Sequence, residues 1–179
     1  MREQCRTVRD ASDPTPLLAT HAPIPIPAEL FGAELARSVI ERTRQPGEGV
    51  QALASRLSLD PSRVTRELGY LSVFTMRFCI TAVFEHDPAV PRVLAAFYAA
   101  LWDDDSWGPH ASGMMRRVVD YEEAFNHPHP DYGRGYRIGR VFARWCHARE
   151  DVPVIELGAR AYVEQLPRVL DLLRSTRVA

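Results

Sequence analysis

The stretch Asp60-Pro61-Ser62-Arg63-Val64-Thr65-Arg66-Glu67-Leu68-Gly69-Tyr70-Leu71-Ser72-Val73-Phe74-Thr75-Met76-Arg77-Phe78-Cys79-Ile80-Thr81-Ala82-Val83-Phe84 decides the fold. Asp60 is an N-cap acceptor and Pro61 suits the first helical position, so the pair opens a helix. The helical pattern then runs unbroken to about Phe84. Its most apolar part, Tyr70 to Phe84, is too short to span a bilayer and carries Arg77 near its middle. It reads as a buried central helix, apolar on nearly every side. Arg77, beside the small side chains Ser72, Thr75, Cys79 and Ala82, is the expected buried charge. It must be paired or reach outward, because an unpaired buried guanidinium is prohibitively costly. In a pocket it would anchor an acidic ligand.

Helical spacing continues on both sides. Phe31, Leu35 and Val39 share one face of a helix that Gln45-Pro46-Gly47 stops. A short helix follows over roughly 50–57. Asp87-Pro88 repeats the start signal and opens a helix to about Trp102, and a loop over 103–109 leads to a helix through Phe125. The run His127-Pro128-His129-Pro130-Asp131 ends that one. Another covers roughly 135–149, and after Pro153 the spacing resumes through Leu173, with Pro167 kinking or dividing it. No stretch sustains period-two alternation. The expected fold is all-α: a single globular domain (28–179) of six to eight helices packed around the central apolar helix at about 61–85. Residues 1–27, ending in Ala22-Pro23-Ile24-Pro25-Ile26-Pro27, are expected to form a Pro-rich extended arm.

Composition narrows the function classes. The chain has 179 residues, 46% apolar content and a formal net charge of −1, which suits one core and lacks the global basic signature of a protein held to nucleic acid by charge alone. All 22 positive side chains are Arg and the single Asn is Asn126, a bias that a GC-rich genome explains. Cys5, Cys79 and Cys146 are too widely spaced for a CxxC knuckle, and the last two fall in apolar helical patterns. The first residues lack the apolar run of a secretory signal, so a cytoplasmic location is expected.

Residues 51–71 resemble the helix-turn-helix of winged-helix bacterial regulators through Leu53-Ala54, Leu57, Leu59, Pro61-Ser62, Val64 and Leu68. The resemblance implies a second helix in the major groove, with Ser62, Arg63, Thr65 and Arg66 facing DNA. Ser58 stands where that family's turn usually has Gly, and no β-hairpin wing follows.

Two further constellations bear on function. Arg137, Arg140 and Arg144 fall in one narrow arc of their helix, a ridge that can hold phosphates or an acidic partner, or pair with Asp120, Glu122 and Glu123 on the preceding helix. His127, His129 and Asp131 share a loop near Glu123, and His147 and Glu150 are spaced to share a helix face, so a metal site is open to these six residues. The Glu-x-x-His signature of di-metal bundles is missing, however, and so are a Gly-rich phosphate loop and a Gly-x-Ser-x-Gly elbow.

The leading expectation is therefore a non-catalytic helical protein that binds another protein, as an adaptor or a subunit of a larger assembly. Ile24, Ile26, Trp102, Trp107, Arg137, Arg140 and Arg144 are its candidate contacts, and no cofactor is expected. A DNA-binding regulator and a metal-dependent helical enzyme are the alternatives.

Overall fold

The computed structural model describes residues 25–178. Seven α-helices account for the domain, in chain order α1 (Ala28–Thr43), α2 (Glu48–Arg56), α3 (Pro61–Val83), α4 (Val90–Asp103), α5 (Ala111–Asn126), α6 (Gly133–Trp145) and α7 (Val152–Arg174). A single 3-10 turn, Gly108–His110, precedes α5. Helix α3 is the centre: it packs against each of the other six, while α1 lies along α4 and α6 along α7. Leu71, Val73, Phe74, Met76, Cys79 and Ile80 of α3 are sealed from solvent. Gly139 lets α6 approach α7 closely, since a Cβ there would strike the Ile155 carbonyl.

Local chemistry sets most helix ends, with instructive differences from the sequence reading. Asp60 Oδ1 accepts from the Ser62 N–H at 2.9 Å, capping α3 where Asp60-Pro61 indicated. The Asp87-Pro88 signal instead caps a turn: Asp87 Oδ1 accepts from Ala89 N–H at 2.7 Å, and α4 begins at Val90. Helix α6 ends at Trp145, four residues before the expected Arg149, because His147 takes a left-handed backbone, φ 63°. The Ala148 N–H then returns to the Ala143 carbonyl, a Schellman closure with His in place of the usual Gly. Pro167 does not divide the last run; α7 continues through it to Arg174.

Of the expected arm, residues 1–24, including Ile24, lie outside the described residues. Ile26 has a partner within the chain. It forms a parallel bridge with Val178, its N–H donating to the Arg177 carbonyl at 2.9 Å, and is half-buried against the domain's own far end. No helix among the described residues is long and apolar enough to cross a membrane.

Candidate functional site

The first turns of α3 are set by the turn that precedes them. Ser58 adopts φ 54°, the left-handed conformation that a Gly would take at no cost, and the Leu59 N–H closes back on the Ala54 carbonyl at 2.9 Å. Ala54 is fully buried where α2 meets α3. Helical geometry then sorts the residues that follow. Ser62, Arg63 and Arg66 are exposed, whereas Val64, Thr65 and Glu67 turn inward. Thr65, expected to face DNA, is only 6% exposed. Beyond Arg66 the exposed face closes: Trp107 packs against Gly69, where a Cβ would meet its ring, and edge-on to Tyr70 at 5.6 Å. Trp107 is therefore a buried core side chain, 7% exposed, and not the contact anchor its position in sequence suggested.

Glu67 is the charge that the sequence reading missed. Its side chain is 2% exposed and accepts from Arg117 Nε at 2.9 Å and from Tyr121 Oη at 2.8 Å. Burial raises the Glu67 carboxyl above its ordinary range, against the lowering pull of those two hydrogen bonds and the Arg117 charge. Tyr121, fully buried, is raised further, by desolvation and then by the neighbouring carboxylate. The Arg117 guanidinium also lies 4.1 Å from the centre of the Trp145 ring and 4.8 Å from that of Tyr70, so two aromatic rings contact it. The legible signal was Glu67 itself, a carboxylate in register with the buried stripe Val64, Leu71 and Phe74.

Around this buried cluster the surface is concave and cationic. A groove of about 310 Å³ is lined by Arg63, Arg66, Glu67, Tyr70, His110, Arg117, Trp145 and His147, among others. His110 is lowered, first by burial and then by the charges of Arg66 and Arg117. Neither Arg63 nor Arg66 forms an ion pair among the described residues. The opposite holds for the arginine ridge of α6. Arg144 Nη2 donates to Asp120 Oδ2 at 2.6 Å, Arg140 pairs with Glu150 at 3.8 Å, and Arg137 Nε caps the end of α5 through the His127 carbonyl at 3.2 Å. Arg134 joins them, donating to the Phe125 carbonyl at 3.2 Å. Each of the four has a partner within the chain.

The remaining candidates are dispersed. Arg77 is not a buried charge: its side chain is 33% exposed and pairs with Glu122 of α5. Trp102 is 50% exposed and stacks on Tyr98. Among the described residues no group of three or more His, Cys, Asp or Glu side chains comes close enough to hold a metal. His127 Nδ1 bonds to the Glu123 carbonyl at 3.0 Å, while His129 Nδ1 accepts from the Asp131 and Tyr132 N–H groups at 3.1 and 3.3 Å. Helix α6 stops before His147 and Glu150, so these two do not share a helix face. Cys79 and Cys146 are buried thiols; desolvation pushes Cys79 up to about 11 and raises Cys146 as well, so neither is a thiolate at neutral pH. No protein-family model, no curated protein and no solved structure matches this chain.

Proposed function

We propose that this protein works by binding rather than by catalysis, as an adaptor or a subunit that receives an acidic segment of another protein in the groove at the start of α3. One observation carries the reading. Arg63 and Arg66 stand side by side on an exposed helix face with no carboxylate partner among the described residues, while the adjacent Glu67 is turned inward and held by Arg117 and Tyr121. A peptide carboxylate entering the groove meets forked, unneutralised guanidinium donors at little desolvation cost. His110, His147 and the Trp145 ring supply the walls.

A second reading is favoured by the same two arginines and by the turn at Ser58, which has the left-handed backbone of a helix-turn-helix. It is binding of duplex DNA through Ser62, Arg63 and Arg66. Against it, a reading helix must protrude into the major groove, whereas this one is flanked by His110 and Trp145 and covered by Trp107 after two turns.

The two are separated by calorimetry of the full chain with a Glu- and Asp-rich peptide and with a mixed-sequence duplex, each at rising salt. The protein-binding reading expects the peptide to bind and the Arg63→Ala/Arg66→Ala double variant to lose it. Duplex binding with a steep salt slope, abolished in the same variant, would transfer the assignment to DNA. Equal peptide binding by wild type and variant overturns the first reading, and equal duplex binding overturns the second.

A further inference from the structure

A second groove lies on the other side of Arg66, and it goes beyond the protein-binding reading. It occupies about 640 Å³ between the end of α1, the first turns of α3 and the 103–110 loop, a size that suits a small molecule. Thr65 lines it, 94% of its surface removed from solvent, yet its Oγ1 has no hydrogen-bond partner among the described residues. A buried hydroxyl without a partner costs about 1–3 kcal/mol, and the residue that carries it borders the groove. Within the same space stand two cations, Arg44 and Arg66, and two carboxylates, Asp104 and Asp105. The four form no ion pair with one another among the described residues. Asp104 Oδ1 is partly committed, accepting from the Ser106 N–H at 2.9 Å and from the Ser106 hydroxyl; Asp105 makes no hydrogen bond or ion pair among the described residues.

Opposite charges that line one groove without meeting leave room for a molecule that carries both. We propose that this groove binds a small zwitterion, its carboxylate or phosphate on Arg44 and Arg66, its ammonium group on Asp105, and a polar atom bonded to Thr65 Oγ1. Ser62, exposed at the rim, adds a hydroxyl beside the anionic end. The Tyr70 and Trp107 rings, packed edge to face, supply an apolar wall.

The test is calorimetry of the full chain with 4-aminobutyrate and phosphoethanolamine as whole zwitterions, and with butyrate, inorganic phosphate and ethanolamine as their halves. At least one zwitterion is expected to bind saturably at up to millimolar concentration, about tenfold or more tighter than either of its halves. Thr65→Val removes the hydroxyl while keeping the shape. It is expected to weaken that binding by about tenfold and to leave the melting temperature of the free protein equal or higher, since the unpartnered hydroxyl is gone. Asp105→Asn should weaken the ammonium-bearing probes and spare phosphate, and Asp103→Asn, outside the groove, should change neither. No saturable binding of any probe, unchanged binding in Thr65→Val, or phosphate binding as tight as phosphoethanolamine overturns the proposal. The Arg63→Ala variant separates the two sites: it tests peptide binding and lies outside this groove.

Discussion

Two arginine constellations sit on this molecule, and they differ in what surrounds them. Arg137, Arg140 and Arg144 on α6 form the more regular array, and each finds a carbonyl or a carboxylate within the chain. Arg63 and Arg66 on α3 form the plainer pair, and neither finds an ion-pair partner among the described residues. The difference arises one helix away. Helix α5 presents Asp120 to α6, whereas toward the start of α3 it presents Arg117 and Tyr121, which hold the adjacent carboxylate, Glu67, in the interior. Availability of a charge for an external ligand is thus decided by the neighbouring helix, not by the spacing of the charges themselves.

The comparison is broken or sharpened most strongly at Glu67. Glu67→Ala removes the acceptor of one buried donor, Tyr121, and one half-buried donor, Arg117, and is expected to lower unfolding free energy by about 3–5 kcal/mol, with Tyr121→Phe costing about 1–2. Denaturant unfolding measures both; a loss below about 1 kcal/mol for Glu67→Ala would mean that the cluster does not organise the α3 face.

A smaller effect is expected with pH. Burial raises the Glu67 carboxyl in the folded state, so between its unfolded value near 4.5 and its folded one the native protein holds the extra proton. That contribution is complete below the unfolded value and is lost as pH rises through the folded one. The stability of wild type relative to Glu67→Gln should therefore fall across this window. A relative stability that rises instead would show that Arg117 and Tyr121 favour the ionised form by more than burial and the nearby Asp120 charge oppose it.

Next in size, Arg144→Ala should cost about 0.5–1 kcal/mol, because Asp120 keeps its hydrogen bond from Trp145 Nε1 at 2.9 Å. Ser58→Gly should stabilise by a comparable amount, about 0.5–1 kcal/mol, by relieving a left-handed backbone at a non-Gly residue. It should also show whether the α2–α3 turn tolerates the usual residue without change in peptide or DNA binding. The smallest effect on stability belongs to Arg63→Ala/Arg66→Ala, within about 0.5 kcal/mol. If that double variant unfolds easily, the two arginines are structural after all and the contrast with α6 disappears.

The fold was largely legible because its signals are local. Asp60-Pro61 starts α3 and the unbroken apolar spacing to Phe84 makes it central, and both depend on residues within a few turns of one another. The boundaries that differed depend on backbone handedness at residues that do not advertise it: His147 ends α6 early, and Asp87 caps a turn ahead of α4. The candidate site was half legible. The exposure of Arg63 and Arg66 follows from the helix that Pro61 starts, whereas the burial of Thr65 and Trp107 depends on the 103–110 loop folding over α3. Glu67 was readable as a carboxylate on a core stripe, but its partners come from a helix fifty residues away. The metal reading foundered on geometry of the same kind, since His127 and His129 are occupied by backbone groups of their own loop.

The placement of the tryptophans has a practical consequence. Trp107 lines the groove with Thr65, Trp145 lines the one with Arg63 beneath the Arg117 guanidinium, and Trp102 lies half-exposed outside both. With three tryptophans in the chain, each region has its own intrinsic fluorophore. Replacing Trp102 by Phe leaves emission dominated by the two grooves. Quenching or a spectral shift on adding a ligand then reports which is filled, once Trp107 and Trp145 are assigned by single substitution, and the protein serves as its own optical sensor without any attached dye.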